Sequence, residues 1–271
     1  MALAKDVFGV SKALVGMVHV QAMPGTPRND GSSLGSTAER AVREASLLVE
    51  AGFDGVILEN MHDVPYMRRE VGPEVVAGMT LVAERVKREV GKPLGIQVLA
   101  GANRAALAVA HAVGAEFIRA EGFVYASVAD EGLLDEADAG GLLRYRKAIG
   151  AERVKILADV KKKHSAHAIT GDIDLAEFAR AAEFFLADGV IVTGSATARP
   201  TSVEDVRVVR TAVKGAVAVG SGVTPENARE LLEYADALIV GSWYKKRGDW
   251  QNDPDPQRVT DLVKAVERGR L

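Results

Sequence analysis

The composition of the 271-residue chain is that of an ordinary globular protein, since 48% of its residues are hydrophobic and 26% are charged. A net charge of −3 without a separate block of Lys and Arg argues against a nucleic-acid partner, because proteins that bind nucleic acids broadly carry a basic surface. The absence of cysteine excludes disulfides, thiolate catalysis and zinc–thiolate sites.

The amino-terminal segment carries Lys5, Asp6 and Lys12 before its first long apolar run, which matches a signal peptide poorly. No stretch of the sequence approaches the roughly 20 apolar residues that cross a membrane. We therefore predict a cytoplasmic protein without an integral membrane span, for which peripheral membrane association remains open. We also predict that it forms a homo-oligomer.

Short β-branched runs alternate with helical periodicity along the chain and predict eight strands and eight helices. The predicted strands cover residues 13–20, 55–59, 94–99, 117–121, 154–160, 190–193, 216–220 and 237–241. The predicted helices lie near 37–51, 73–90, 103–113, 139–149, 174–186, 202–213, 225–234 and 256–268. Ser36 with Glu39, and likewise Thr201 with Glu204, have the spacing of a capping box. Pro225 is expected just inside a helix start.

A weak internal repeat places one acidic residue before an apolar strand four times. These residues are Asp54, Glu116, Asp188 and Asp236. Their spacing corresponds to two β/α units of about 30 residues each, so the four copies would introduce strands 2, 4, 6 and 8. A doubly wound open sheet also alternates strands and helices, but it does not predict four such pairs. We therefore predict an α/β protein with one domain, residues 1–271, folded as a (β/α)8 TIM barrel.

The predicted connections are short from helix to strand and mostly long from strand to helix. The four long strand-to-helix connections cover residues 21–36, 60–72, 122–139 and 161–172. Long loops within compact domains are usually functional, and in a barrel all strand-to-helix loops lie at the carboxyl ends of the strands. We expect the functional site at that end of the barrel.

Two glycine turns follow the last two predicted strands. Glycine permits close backbone approach, and a helix amino terminus behind the first turn would present free N–H groups to a phosphate. Loops after strands 7 and 8 commonly form such sites in barrels. The alternative is a pair of tight turns that bind no ligand. The predicted phosphate-binding residues are Gly220, Ser221, Gly222, Gly241 and Ser242.

Polar side chains gather at the carboxyl ends of the other predicted strands, in greater number than a packed core tolerates unpaired. Alternation along a strand places His19 and Gln21 on one side of strand 1. The predicted catalytic residues are His19, Glu59, Arg119, Asp159 and Lys161. The predicted substrate-binding residues are Gln21, Asn60, His62, Gln97, Asn103, Glu121 and Thr193. The alternative is a structural ion-pair network, composed of Glu59, Arg119, Glu121 and Asp159.

Asp159 and Lys161 lie two residues apart at a strand end, so both are expected to point into the same cavity. A carboxylate beside an ammonium group supports proton transfer, and a partly buried lysine can form an imine. We expect the next two residues, Lys162 and Lys163, to belong to a solvated basic loop.

The sequence identifies no cofactor. No HExxH motif occurs, and no metal site is predicted; a divalent cation held by His19, Glu59 or Asp159 is the alternative. The aromatic and basic segment 243–250 either closes over the phosphate, contacts an interface, or packs against the first loop.

Six stretches distributed along the chain form a distinctive set: VGMVHVQAMPGTP at 15–27, GVILENMHDVPY at 55–66, QVLAGAN at 97–103, FIRAE at 117–121, ADVKKKHS at 158–165 and GSGVTPE at 220–226. In these stretches, and nearly end to end, the chain resembles the BtpA/SgcQ family. The resemblance implies a phosphate-binding TIM barrel of the ribulose-phosphate-binding type. Cyanobacterial members are linked to photosystem I biogenesis, but related members occur in organisms without thylakoids, so that role is not general. The resemblance assigns no catalytic residues.

Two functions are compatible with these features. We predict an enzyme acting on a phosphorylated small molecule, from sugar-phosphate or nucleotide metabolism, by lyase, isomerase or glycosyl-cleaving chemistry. The alternative is a noncatalytic assembly factor for membrane protein complexes, as the cyanobacterial relatives imply. A scaffold does not need ionisable groups clustered at the carboxyl ends of the barrel strands. An exposed apolar patch, in contrast, would favour the assembly factor.

Overall fold

The structure, a computed structural model that describes residues 2–194 and 200–270, contains a closed barrel of eight parallel strands. The barrel strands are β1 (Ala13–His19), β2 (Gly55–Glu59), β3 (Leu94–Gln97), β4 (Phe117–Ala120), β5 (Lys155–Val160), β6 (Gly189–Val192), β7 (Ala216–Val219) and β8 (Ala237–Val240). Each strand pairs with the next one along the chain, and β8 closes on β1. The predicted TIM-barrel fold is confirmed.

A helix follows each barrel strand and packs outside it. The helices are α1 (Leu34–Ala51), α2 (Pro73–Val90), α3 (Asn103–Val113), α4 (Ala139–Ala148), α5 (Leu175–Phe184), α6 (Val203–Ala212), α7 (Ala228–Tyr234) and α8 (Pro256–Arg270). Their inner faces and the outward-facing strand residues form one large hydrophobic cluster. Among the described residues, no helix combines the length and apolar character needed to cross a bilayer.

A second hydrophobic cluster fills the barrel interior towards the amino-terminal ends of the strands. Its members are Ala13, Val15, Met17, Ile57, Phe117, Leu157, Ile191, Ala218, Ala237 and Ile239. An unpredicted helix, Ala2–Phe8, covers this end, and the Phe8 ring packs edge-on against Phe117 at 5.5 Å. Because this end is packed with apolar side chains, a polar ligand site belongs at the opposite end of the barrel.

The four acidic residues of the repeat make equivalent contacts at the amino-terminal end, where they introduce β2, β4, β6 and β8 as predicted. Each accepts a hydrogen bond of 2.7–3.0 Å from a backbone N–H of the preceding strand; the donors are Leu14, Leu94, Ile156 and Val217. Each also pairs with a cation from a neighbouring helix; the cations are Arg270, Lys87, Arg146 and Arg210. The repeat is therefore structural, because it ties consecutive strands and a helix together at four points around the barrel.

Three predicted helix starts are wrong in detail. Helix α1 is capped by Ser33, whose side chain accepts a hydrogen bond from the backbone N–H of Ser36. Helix α6 is capped by Ser202 rather than Thr201, whose hydroxyl instead donates to the Ser221 carbonyl at 2.8 Å. Helix α7 begins three residues after Pro225. In the first two cases a neighbouring serine caps the helix, so the sequence spacing selects the wrong hydroxyl.

The loops after β4 and β5 contain a small antiparallel sheet that the sequence reasoning missed. Its strands are Ser127–Ala129, Gly132–Leu134 and Ser165–Ala166. The central strand, Ser127–Ala129, pairs with the other two and joins the two loops at the carboxyl end of the barrel.

Candidate active site

A cavity opens at the carboxyl ends of the strands, bounded by β1, β2, β4, β7, β8 and the loop after β5. It contains about 780 Å³ of space between the lining residues, a volume that includes open solvent at the mouth. The predicted residues that line it are His19, Glu59, Arg119, Gly220, Ser221, Gly222, Gly241 and Ser242. The fold therefore brings the two glycine turns and part of the predicted catalytic set to one cavity.

The residues of the two glycine turns line this cavity, and several of their backbone N–H groups have no acceptor among the described residues. Four of them donate to no acceptor in residues 2–194 and 200–270, namely those of Gly222, Val223, Ser242 and Trp243. Gly222 has a φ of 64°, the left-handed region that glycine adopts without strain. Clustered free N–H groups in a turn form a concave binding site for an anion.

The predicted contribution of a helix amino terminus to this wall is wrong. Helix α7 has only seven residues and begins at Ala228, beyond the cavity lining. The N–H of Thr224, which would face a ligand, donates to Asn227 Oδ1 at 2.8 Å. The turn itself, rather than a helix dipole, supplies the donors.

Two of the glycines lie where a side chain would crowd its neighbours. A Cβ atom on Gly220 would lie 2.6 Å from Ile191 Cγ2 and 3.2 Å from Arg119 Nη2. A Cβ atom on Gly241 would lie 3.1 Å from His19 Nε2. The backbone of each turn therefore directly approaches a predicted catalytic side chain, and a ligand held by the turns would lie within reach of both.

His19 and Glu59 are side by side, since they are register partners on β1 and β2. His19 Nε2 lies 3.6 Å from Glu59 Oε2, and Nδ1 lies 3.2 Å from the Trp250 carbonyl oxygen. If Nδ1–H donates to that carbonyl, Nε2 presents its lone pair to the cavity. Burial and the nearby Lys245 hold the pKa of His19 well below its usual value, whereas burial raises the pKa of Glu59. A neutral imidazole beside such a carboxyl group is suited to proton transfer.

Arg119 and Asp159 form a bidentate ion pair with distances of 2.8 and 3.0 Å. Burial alone would lower the pKa of Arg119, but the Asp159 carboxylate outweighs this and raises it. Arg119 lines the cavity, whereas Asp159 lies behind it and orients the guanidinium group. Of the four-residue ion-pair network that the sequence offered as an alternative, only the pair of Arg119 and Asp159 is present. Glu121 pairs instead with Lys162 at 3.3 Å.

The prediction that Asp159 and Lys161 point into the same cavity is wrong. β5 ends at Val160, and Lys161 has a φ of 45°, so strand alternation stops before it. Its Nζ atom donates to the carbonyl oxygen of Ile173, away from the cavity lining.

The expected solvated basic loop is also wrong for both following lysines. Lys162 is buried, with Glu121 at 3.3 Å and Glu131 at 3.7 Å from its Nζ atom. Lys163 lines the cavity, and its backbone N–H donates to Thr193 Oγ1 at 3.1 Å. Burial and, secondarily, the charge of Arg119 lower the pKa of Lys163. Within a run of three lysines, no sequence signal distinguishes these three environments.

Two of the predicted substrate-binding residues lie close to the cavity. Gln97 is the register partner of Glu59 on β3, and its buried Oε1 has no hydrogen-bond partner among the described residues. Thr193 anchors the backbone of Lys163.

The remaining predicted substrate-binding residues lie outside the cavity lining. Gln21 follows the end of β1 and lies in a separate crevice beside Arg28 and Arg40. Asn60 accepts from the Leu99 N–H at 2.7 Å. Asn103 donates to the Glu121 carbonyl at 2.8 Å, and the Glu121 carboxylate accepts from the Gly101 N–H at 3.1 Å. These three polar side chains hold loops at the barrel mouth, because each bonds to backbone of another loop or strand end.

His62 and segment 243–250 form one side of the mouth. Trp250 packs against His62 with ring centroids 5.0 Å apart and edge-on against His19 at 5.8 Å. Burial lowers the pKa of His62 to about 4. Trp243 lines the cavity, whereas Lys245 is buried in an ion pair with a glutamate of α1. The segment thus both borders the cavity and packs against the body of the protein.

Metal ligands are not grouped in the part of the chain that the structure describes. Within it, no three His, Asp or Glu side chains are arranged to hold a metal ion together. Of the candidate ligands, Asp159 has both oxygens bonded to Arg119.

An eight-stranded parallel barrel with its cavity at the carboxyl ends of the strands defines a TIM-barrel protein. A model of the BtpA family matches residues 10–268, and the chain belongs to this family. An uncharacterised mitochondrial protein of Caenorhabditis elegans is 48% identical over 94% of both chains. The photosystem I biogenesis protein BtpA of Synechocystis is 38% identical, over 97% of this chain and 91% of that protein.

A solved structure shares the fold at low sequence identity. It is (S)-3-O-geranylgeranylglyceryl phosphate synthase from Thermoplasma acidophilum, with a TM-score of 0.62 and 14% identity, covering 98% of this chain and 97% of that one. At this identity, the likeness supports the barrel fold alone.

Proposed function

We propose that this BtpA-family barrel is an enzyme that acts on a phosphorylated small molecule. The substrate class is a sugar phosphate or a nucleotide-derived metabolite, and the reaction is of lyase, isomerase or glycosyl-cleaving type. One observation carries the proposal: free backbone N–H groups of two glycine turns and ionisable side chains line the same cavity.

The phosphate group would dock against the turns 220–222 and 241–242. A dianion there accepts hydrogen bonds from the free N–H groups and lies beside the permanently charged Arg119. The archaeal synthase of the same fold was solved with its substrate sn-glycerol 1-phosphate, which supports a phosphorylated ligand for such a barrel.

The reacting carbon would lie towards the side chains of β1, β2 and β4. Glu59 and His19 would exchange protons with the substrate, because burial brings both groups towards their neutral forms. Arg119, held in place by Asp159, would stabilise negative charge that develops on a substrate oxygen. Asp159 is then a positioning residue rather than a catalytic one.

A thermal-shift panel tests the proposal. Inorganic phosphate, sulfate, sugar phosphates and nucleotides are each added at millimolar concentration, with the unphosphorylated sugars and nucleosides as controls. A ligand at 100 times its Kd should stabilise the fold by about 2.7 kcal/mol. We expect phosphorylated compounds to raise the melting temperature and their unphosphorylated counterparts to leave it unchanged.

Two glycine variants locate the binding site. Gly241→Val places a side chain against His19 Nε2 in the cavity and should abolish the phosphate-dependent shift. Gly140→Ala is the matched control, because its Cβ would meet only Arg144 Nη1 at an ordinary 3.5 Å. If no phosphorylated compound, phosphate or sulfate shifts the wild-type melting temperature, the proposed enzyme is ruled out.

An accessory role is the second candidate, favoured by one surface feature. Three adjacent apolar residues at the end of α5 are exposed: Phe184 by 81%, Phe185 by 47% and Leu186 by 67%. Such a patch is typical of a protein-binding surface, and the Synechocystis relative is named for photosystem I biogenesis. Expression of the chain in a Synechocystis strain lacking that relative tests this role. Restored photosystem I levels with wild type and Glu59→Gln, but not with Phe185→Ser, would favour it; no restoration by wild type would argue against it.

A further inference from the structure

We propose that Lys163 forms an imine with the carbonyl carbon of a phosphorylated aldehyde or ketone. The inference rests on the proposed function and narrows its substrate class to carbonyl-bearing sugar phosphates. It also assigns the covalent step to a lysine other than the one that strand alternation selects.

The backbone around Lys163 directs its side chain into the cavity. Lys161 and His164, on either side, both have positive φ angles, of 45° and 56°, so the chain turns sharply after β5. The Lys163 N–H donates to Thr193 Oγ1 at 3.1 Å, which fixes the turn to the end of β6. Lys163 consequently reaches the cavity that the glycine turns and Glu59 also line.

The three consecutive lysines differ in what holds their amino groups. Lys161 Nζ donates to a backbone carbonyl, and Lys162 Nζ is paired with two glutamates. By contrast, no described residue accepts a hydrogen bond from Lys163 Nζ or forms an ion pair with it. A half-buried amino group that lines a ligand cavity without a partner among the described residues is available to react with the ligand.

Burial, more than the surrounding charges, favours the neutral, nucleophilic form of Lys163. Burial lowers the pKa of Lys163 and the neighbouring Arg119 lowers it further, while Glu59, Asp159 and Glu121 oppose this only in part. Asp159 is already engaged by Arg119, so it does not fix the Lys163 ammonium as a counter-ion. A lysine desolvated beside another cation is the arrangement that activates an amine for imine formation.

The step balances without an oxidant or a reductant. The Nζ lone pair attacks the carbonyl carbon, and the C=O π electrons move to oxygen, which takes a proton from the Glu59 carboxyl group. The attacking nitrogen returns a proton to Glu59, giving a carbinolamine. The C–O bond then breaks as the oxygen takes a second proton from Glu59 and leaves as water, while nitrogen forms the C=N bond and passes its remaining proton to the Glu59 carboxylate. Both amine hydrogens thus leave in the water molecule.

Borohydride trapping tests the imine. Wild-type protein is incubated with dihydroxyacetone phosphate, glyceraldehyde 3-phosphate or ribose 5-phosphate, reduced with sodium borohydride and analysed by intact mass and peptide mapping. We expect one reduced adduct, on Lys163, more than about tenfold above labelling of Lys161 or Lys162. Adduct formation should rise with pH towards the ordinary lysine value of about 10.4, as more of the amine becomes neutral. Unphosphorylated dihydroxyacetone should label Lys163 at least about tenfold less, because the turns add no phosphate binding energy.

Variants separate the imine from the underlying phosphate site. Lys163→Arg keeps a cation but cannot form an imine, so it should lose the adduct and keep the thermal shift with inorganic phosphate. Lys161→Met is the matched control and should trap like wild type. If phosphate shifts the melting temperature but none of the three probes labels Lys163 above its neighbours, the imine is wrong and the proposed function stands. If phosphate does not shift the melting temperature and none of the probes labels Lys163, the two proposals fail together.

Discussion

The two ends of the barrel differ in how completely their charged groups are paired. At the amino-terminal end, Asp54, Glu116, Asp188 and Asp236 each hold a backbone N–H and a helix cation. At the carboxyl end, His19 and Glu59 are 3.6 Å apart, and Lys163 has no partner among the described residues. Charges at the first end connect strands and helices. At the second end Arg119 is paired with Asp159 and Lys162 with Glu121, whereas His19, Glu59 and Lys163 remain available to a ligand. The same residue types thus serve stability at one end and, we infer, chemistry at the other.

The largest expected effect is on turnover at the carboxyl end. Glu59→Gln removes the proposed proton donor but keeps the side-chain size, so turnover of any substrate found in the phosphorylated panel should fall about 10²–10⁴-fold. Steady-state kinetics measures the loss, and chemical denaturation should show unchanged or slightly raised stability, because burial penalises the Glu59 charge. Full turnover by Glu59→Gln would remove Glu59 from the mechanism and weaken the contrast between the two ends.

The next effect is on stability at the amino-terminal end. Asp236→Ala removes the acceptor of Arg210 Nη1 and of the Val217 N–H, while Arg210 Nη2 keeps the Val213 and Gly215 carbonyls. The free energy of unfolding should therefore fall by about 3 kcal/mol, the lower end of the cost of breaking a buried ion pair. Urea denaturation followed by circular dichroism measures this loss. The folded fraction should retain the phosphate-dependent thermal shift, because the site lies at the other end. Loss of phosphate binding in folded Asp236→Ala would contradict the separation of roles.

A smaller effect of opposite sign is expected at Lys163. Lys163→Met should raise the free energy of unfolding by about 1 kcal/mol at pH 7, because it removes a half-buried, partly desolvated ammonium that has no partner among the described residues. A lowered pKa means that the folded state binds this proton less tightly than the unfolded chain. The free energy of unfolding of the wild type is therefore lower than that of Lys163→Met at neutral pH. This difference shrinks as the pH rises towards the ordinary lysine value of about 10.4. Denaturation at a series of pH values measures the difference; a difference that grows with pH would contradict the assignment.

The smallest effect serves as the reference for both ends. Arg88→Ala removes an exposed i, i+4 pair with Glu84 on α2 and should change the free energy of unfolding by less than about 0.5 kcal/mol. The same urea titration checks it. If Arg88→Ala lowered the free energy of unfolding as much as Asp236→Ala does, the loss would depend on removing an ion pair and not on the burial of that pair at the end of the barrel.

Much of the architecture was predictable because it depends on local patterns. All eight strands lie within two residues of their predicted bounds, since short β-branched runs alternating with amphipathic helices specify a parallel barrel. The acidic repeat predicted which strands it introduces. The glycine turns were predictable for the same reason, as they follow the last two strands directly.

Prediction failed where the chain leaves the strands. Alternation correctly directed His19, Glu59 and Arg119 into the cavity, because these residues still belong to strands. It failed for Gln21 and Lys161, which lie beyond the ends of β1 and β5. The period of two describes extended backbone only, and a single positive φ after β5 was enough to turn Lys161 away.

The sequence by itself determined the class of fold, the order of its elements, the end of the barrel that carries the cavity, and the two turns that present free N–H groups. Only the tertiary structure decided which of three adjacent lysines reaches the cavity, which acidic residues are paired, and that Asp159 orients Arg119 instead of facing the ligand. The reason is physical: local propensity and periodicity act over a few residues, whereas the partner of a charged side chain is chosen by distances between segments far apart in the chain.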